Sequence, residues 1–309
     1  MAAVQGDSLH WTKILDDLLG PHAKSLAKDP FFMDNAFDQE ELDILPSSSQ
    51  MRMDMLVGEA RQTLRMIAPY LGRGTRMLEI GGGVGLVYAV LRSQGLEIIS
   101  LEPGNEGFGD RHQAGLRLLH ELEVNSQGWL KQGIENFSPG EQEFTLIFSH
   151  FVLEHLPDLD RAFAVMSGML STSGLMIHCC PNYAVPFEPH YNMPLIPFRP
   201  ELTAFLRPGL RARDLWQGLN FITAKEVAGL CARYGLQPEF ERGMSARAFE
   251  RVLADPLFSS RKQGFTGLAA VLQKTGVLRL LRSLPPSLDT PIQFTARKKM
   301  YNHEEHEVP

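Results

Sequence analysis

Apolar residues near the start of the chain recur every three or four positions, at Trp11, Ile14, Leu15, Leu18 and Leu19 and again at Met55, Leu56, Leu64 and Ile67. That period predicts helices with one buried face each. Between the two runs lie an acidic stretch at 39–43 and Pro46 followed by three serines, which supply a side-chain cap for a helix over 51–70. From Thr75 the pattern shortens. Apolar runs at 77–80, 97–101, 144–149 and 175–180 alternate with amphipathic stretches of helical length. Strands separated by helices pair in parallel through right-handed crossovers, so the expected architecture is α/β and doubly wound.

The stretch 181–208 breaks this alternation. It is too irregular for a strand and too apolar for an ordinary linker, with Phe187, Tyr191, Leu195, Ile196 and Phe198 set among prolines. Loops of this length are usually lids or binding loops. A helix then starts at Thr223 and ends at Gly235, and 236–242 and 291–297 read as two closing strands around a helical insertion at 245–284. Within it, Leu268, Val271, Leu272, Val277, Leu278 and Leu281, with Lys274, Arg279 and Arg282, form a face suited to its own domain or to a membrane surface.

Composition narrows the picture. The 309 residues are 44% hydrophobic and 21% charged, enough to bury a sizeable core. A net charge of −6 argues against nucleic acid as partner, because phosphate binding depends on an excess of Lys and Arg. Cys179, Cys180 and Cys231 lack zinc-ligand spacing, the first two are sequence neighbours, and a reducing cytoplasm suits them. The first residues lack the basic and apolar regions of a secretory signal, and no window offers about 18 uninterrupted apolar residues, so no integral membrane segment is expected.

The chemistry begins at Met77-Leu78-Glu79-Ile80-Gly81-Gly82-Gly83-Val84-Gly85, where a strand runs through a glycine loop into an apolar helix. Glycine permits backbone angles and close approaches that a Cβ forbids, and the helix start offers unpaired N–H groups to an anion, whether phosphate or carboxylate. A dinucleotide fingerprint begun at Gly81 would require glycine at position 86, which is Leu86, and this disfavours NAD and FAD. Seventeen residues after Gly85, at the end of the next strand, Glu102 is placed to accept hydrogen bonds from both hydroxyls of a ribose.

These residues, together with Phe151-Val152-Leu153-Glu154-His155-Leu156-Pro157-Asp158, resemble the class I S-adenosylmethionine-dependent methyltransferases over about residues 51–183, with a fainter likeness to 297. The resemblance implies a Rossmann-like seven-stranded sheet with S-adenosylmethionine as cofactor and S-adenosylhomocysteine as product. It implies that Glu79, Gly81, Gly82, Gly83 and Gly85 line the methionine end, that Glu102 holds the ribose, that Ile134 and Glu135 flank adenine, and that Pro103 and Ser149 also belong to the cofactor site. Glu135 reads equally as a solvated loop acid. The chain departs from the family at Phe144-Thr145-Leu146, where an Asp commonly follows the Phe, which leaves the local capping arrangement in question. Pro181-Asn182-Tyr183, followed by Glu188-Pro189-His190 and Met193-Pro194-Leu195-Ile196-Pro197, is similar to bacterial methyltransferases of surface-glycan and related pathways, implying a sugar or lipid-linked acceptor.

A sulfonium methyl is already activated, so the protein mainly has to align an acceptor and take its proton. The candidate bases are His150, His155 and His190, since histidine titrates near neutrality. In the family's Glu-His pair the histidine often supports the loop, and that reading of His155 stands beside the catalytic one. His190 has Glu188 nearby to orient it. Cys179 and Cys180 read as packing. No metal is assigned, the terminal His303-Glu304-Glu305-His306 included.

The expected organisation is a helical amino-terminal cap at 1–72, a cofactor-binding core at 73–243 containing an acceptor-site loop at 181–220, a helical insertion at 244–290, a closing strand at 291–298 and a tail at 299–309. The expected function is methyl transfer from S-adenosylmethionine to a small molecule, at an oxygen of a sugar, lipid-linked or secondary metabolite. The rivals are a catalytically silent binder of the same cofactor and a nicotinamide oxidoreductase; a homodimer is left open.

Overall fold

In the computed structural model, residues 7–37, 39–104, 110–138, 140–261 and 263–299 are described. Seven strands, β1 (Arg76–Ile80), β2 (Glu97–Leu101), β3 (Trp129–Leu130), β4 (Phe144–His150), β5 (Leu170–Cys180), β6 (Leu236–Phe240) and β7 (Ile292–Lys298), form one sheet in the order β3-β2-β1-β4-β5-β7-β6. The first five pair in parallel, and β7 lies antiparallel to both neighbours. The doubly wound sheet is therefore as expected. Leu78, Ile80, Leu101, Ile147, Phe148 and Met176 are all buried, as parallel strands covered on both faces require.

Two apolar layers sandwich the sheet. One contains Trp11, Leu64, Ile67, Tyr88 and Leu118, from the helices Ser8–Leu19, Ser49–Ile67, Leu86–Ser93 and Arg111–Glu121. The other contains Phe163, Met166, Val227 and Cys231, from Leu159–Met169 and Ala224–Arg233. The serine cap is Ser48, whose Oγ accepts from Met51 N at 3.4 Å. Its helix stops at Ile67 and finishes in a tighter 3-10 turn, Ala68–Tyr70, because Pro69 has no N–H and its ring crowds the carbonyl four residues back. Thr223 and Glu226 form a reciprocal capping box at the later helix.

Two expectations need correction. β5 starts five residues earlier than the predicted 175, because Leu170 pairs with Phe144 across an irregularity that Ser171-Thr172-Ser173-Gly174 disguises as a turn. The stretch 181–208 is not free of strand either, since Phe187–Glu188 pairs antiparallel with Met193–Pro194 in a small ribbon. Thr145, standing where the resembled family commonly has Asp, uses its hydroxyl to accept from Arg76 N at 2.9 Å and to donate to Arg76 O at 3.2 Å, tying β4 to the start of β1. Among the described residues no helix is long and apolar enough to cross a membrane.

The helices Met244–Ala254, Pro256–Arg261, Gln263–Lys274 and Val277–Leu281 lie between β6 and β7 in sequence and pack on one another, with Pro256–Arg261 also touching Ser49–Ile67. Their attachment is polar and buried. Asp289 accepts from Met244 N at 2.9 Å and Ser245 N at 2.6 Å. Asn182 Nδ2 donates to Pro286 O at 3.1 Å and Asp289 O at 2.9 Å, while its Oδ1 accepts from Ala184 N and Ala224 N, both at 3.2 Å. One side chain thus joins the end of β5, the turn before β7 and the start of a core helix. Each buried group that loses its partner costs ~1–3 kcal/mol, so Asn182→Ala is expected to lower the unfolding free energy by about 2–4 kcal/mol in a urea titration. A loss below about 1 kcal/mol would show that the clamp is dispensable.

Candidate functional site

The chain leaves β1 toward β2 and β3 and returns to β4 on the opposite side of β1, so the loops after β1 and β4 border a crevice at the carboxyl ends of the strands. The first loop turns through left-handed glycines, Gly81 (φ 71°), Gly83 (φ 58°) and Gly85 (φ 80°), the last capping the helix Leu86–Ser93. Gly81 N and Gly82 N donate to Leu101 O at 2.8 and 3.1 Å, which fixes the loop to the end of β2. A Cβ at Gly81 would run into Val152, and one at Gly82 into Ser100 and Trp129.

Two buried carboxylates face this loop. Glu79 accepts from Ser100 Oγ at 2.6 Å. Glu102 accepts from Gly83 N at 2.8 Å and Gly104 N at 3.2 Å. Burial raises Glu79 to about 8, against the Ser100 bond and with help from the neighbouring negative Glu102. Burial also raises Glu102, although Arg111 and the two N–H groups pull it back. Arg111 is held by an ion pair to Glu41.

Glu79, Gly81, Gly82, Gly83, Glu102, Pro103, Ile134, Glu135, Ser149, His150, His155 and His190 all line one cavity of about 1600 Å³. Gly85 lies behind it at the helix start. Pockets for a single small molecule run to about 300–1,000 Å³, so this space suits two ligands side by side. Ile134 is fully buried, and Glu135 has one carboxylate oxygen buried without a hydrogen-bond partner. Ser149 turns its hydroxyl away to His178 Nδ1, 2.7 Å distant within the sheet.

The other half of the cavity is walled by Phe151, Phe187, Phe249, Phe258 and Phe265, with Leu56 and Ala60 from Ser49–Ile67. Phe151 sits in a left-handed conformation (φ 56°) immediately after β4 and is 37% exposed, an apolar ring held open at a site of backbone strain. Asn220 Nδ2 donates to Leu153 O at 2.7 Å and Leu156 O at 3.0 Å, fixing the turn that carries Glu154 and His155. On the facing ribbon, Glu188 is fully buried and gathers His190 Nδ1 (2.6 Å), Tyr191 N (2.6 Å) and Tyr183 OH (3.3 Å). Burial alone would raise Glu188, but the bonds from His190 and Tyr191 outweigh it and hold the group below the usual carboxylate range. The rings of His155 and His190 meet edge to face at 5.1 Å.

The three histidines are not equivalent. Burial pushes His150 down to about 4, and burial with the nearby His190 and Arg111 holds His155 well below its ordinary value, so both are neutral at pH 7. His190 has its ring oriented by a hydrogen bond to the Glu188 carboxylate. Sequence reasoning missed Ser100, Arg111, Asn220 and the phenylalanines of the late helices, which reach the site through tertiary contacts that no local pattern announces. It also passed over Glu154, a buried carboxylate that burial raises to about 7. The terminal histidines 303 and 306 lie outside the described residues.

The chain is similar to known proteins in sequence and in fold. The family model of the methyltransferase domain matches residues 50–239. An uncharacterized protein of Mycobacterium tuberculosis is 33% identical over 219 residues, covering 67% of this chain and 74% of its own. Among solved structures, phosphoethanolamine N-methyltransferase 2 of Haemonchus contortus, in complex with phosphomonomethylethanolamine and S-adenosylhomocysteine, superposes with a TM-score of 0.51 at 13% identity. That match covers 77% of this chain and 52% of the nematode protein, so the chain spans about half of its length. An O-methyltransferase from a polyketide multienzyme of Brevibacillus brevis, in complex with S-adenosylhomocysteine, gives a TM-score of 0.49 at 13% identity over 85% of this chain and 80% of its own.

The carboxylates and histidines predict a pH profile. Glu79 and Glu154, raised to about 8 and about 7, keep protons in the folded chain that unfolded glutamates near 4.5 release, so they make stability fall as pH rises. His150, His155 and His178 are depressed and act oppositely, destabilising the fold as pH drops below 6.5. The histidine effect fades as pH rises above 6.5, and the raised carboxylates then dominate. Melting temperature is therefore expected to decline as pH rises through about 8, and Glu79→Gln to flatten that decline. An unaltered slope in the variant would assign the protons elsewhere.

Proposed function

We propose that this chain, which belongs to the methyltransferase-domain family, transfers a methyl group from S-adenosylmethionine to an oxygen of a small-molecule acceptor. The observation that carries the reading is Glu102, which two backbone N–H groups hold at the glycine loop beside Glu79, in a cavity with a second, aromatic-walled half. Once bound, the cofactor supplies an electrophilic methyl on a sulfonium. Glu79 and the loop of Gly81, Gly82, Gly83 and Gly85 hold the amino-acid end, and Glu102, flanked by Pro103, accepts from the ribose hydroxyls. Ile134 packs on adenine, the unpartnered oxygen of Glu135 accepts from its amino group, and Ser149 contributes backbone.

The acceptor enters on the side of Phe151, Phe187 and Phe265. Five phenylalanines favour an acceptor with a substantial apolar part, a lipid-linked or ring-bearing secondary metabolite over a bare sugar. Glu188 keeps His190 Nδ1 as an N–H, which makes Nε2 the basic nitrogen; it takes the hydroxyl proton as the oxygen attacks, and Glu188 stabilises the imidazolium. His150 and His155, both neutral, shape the wall beside it.

Calorimetric titration with S-adenosylmethionine, S-adenosylhomocysteine and NAD tests the cofactor. Micromolar binding of the first two is expected, at least ~10-fold weaker in Glu102→Ala because charge-assisted bonds contribute roughly 1.5–3 kcal/mol. Binding of NAD alone would overturn the reading. His190→Ala is expected to lower turnover on a hydroxylated acceptor by ~10²–10⁴-fold with unchanged affinity for S-adenosylhomocysteine. An equal loss from a distant surface histidine would remove His190 from that role.

A further inference from the structure

Glu154 has a buried carboxylate, fully shielded from solvent, and neither of its side-chain oxygens has a hydrogen-bond partner in another residue. Leaving such a group unsatisfied is costly. Its surroundings are particular. Oε1 stands 3.9 Å from His155 Nε2, and one ligand atom from each of Glu154, His155 and His190 lies within 4.8 Å of the others. The donor set is two imidazoles and one carboxylate, a combination that suits first-row divalent ions such as Zn²⁺, Mn²⁺, Fe²⁺ or Co²⁺ and not Ca²⁺.

The second observation is independent. His190 is oriented by buried Glu188 through Nδ1, and Glu188 is in turn fixed by Tyr183 OH and Tyr191 N. A carboxylate that holds one ring nitrogen as N–H while the other faces a metal is the common support of histidine ligands. Asn220 restrains the turn that bears the other two donors. Ligands at ~2.1 Å in a tetrahedral arrangement lie ~3.4 Å apart, so closing the cluster takes side-chain movements on the order of 1 Å.

We propose that Glu154, His155 and His190 bind one divalent transition-metal ion at the wall of the cavity, with Glu188 orienting His190. His155 and His190 both line the cavity, so an ion there borders the space in which the acceptor is proposed to lie. Three protein ligands leave coordination positions open for an acceptor oxygen. Binding of the ion is independent of the methyl-transfer reading; its role in aligning the acceptor rests on that reading. With the ion present, His190 serves as ligand, and the acidity of a coordinated hydroxyl replaces the histidine as the means of releasing the proton to solvent.

The experiment uses the full chain, stripped with a chelator and titrated with Co²⁺ while visible absorption is followed, with parallel calorimetry of S-adenosylhomocysteine. One Co²⁺ per chain with d–d bands is expected. Glu154→Gln and His190→Ala should abolish the bands, and Glu188→Gln should weaken binding ~10–100-fold, all with unaltered affinity for S-adenosylhomocysteine, which reports an intact fold. The double variant His303→Ala, His306→Ala controls for the terminal histidines and should bind as the parent does. No stoichiometric binding, or binding lost only in the double variant, overturns the proposal. Turnover separates the two roles of His190: loss on chelation and recovery on adding metal supports the ion, whereas chelator-insensitive turnover that still needs His190 overturns the ion's role and keeps the histidine as base.

Discussion

The backbone at Gly81 and Gly82 runs through a gap with no room for a side chain, between Val152 from the loop after β4 and Ser100 with Trp129 from the strands beyond β1. The crevice depends on that close approach. It brings the ends of β1, β2 and β4 together tightly enough for Glu102 to reach Gly83 N, for Ser100 to reach Glu79, and for Val152 to close on Gly81. A methyl group at either glycine would separate these loops and disperse the charges that the site concentrates.

Much of the proposed cofactor half was readable along the chain because its parts are local. The strand, glycine loop and helix follow one another directly, and Glu102 ends the next strand, so hydrophobic period and glycine placement were enough to locate them. The Glu188–His190 pair was legible for the same reason, being two residues apart. What escaped was set by contacts between distant positions. Glu154 and His190 are brought together only when the ribbon folds over the end of β4. Asn182 reaches more than a hundred residues ahead to Pro286 and Asp289. The early start of β5 was hidden because its first residues are polar and small, and only pairing with Phe144 makes Leu170 a strand residue.

The proposed acceptor half has a different character from the proposed cofactor half. One side is built from backbone donors and carboxylates fixed by the sheet. The other is assembled from Phe151 after β4 and from phenylalanines on the ribbon and the late helices, which the Asn182 and Asp289 clamps tie to the sheet. Hydrogen bonds from the backbone are thus concentrated on the side that carries the buried carboxylates, and the apolar walls stand on separate elements.

The place of β7 in the sheet bears on how the chain is made. Among the described residues β6 pairs only with β7, and β7 lies between β5 and β6, yet the whole helical insertion, from Met244 to Leu281, separates the two in sequence. On the ribosome, β5 therefore has an open edge, and β6 has no strand to join, until Ile292–Lys298 has been synthesised and inserted. Completion of the sheet is a late, long-range step. An interruption of synthesis within the preceding helices would release a molecule with its glycine loop formed and a buried edge exposed, a species prone to aggregate through that edge.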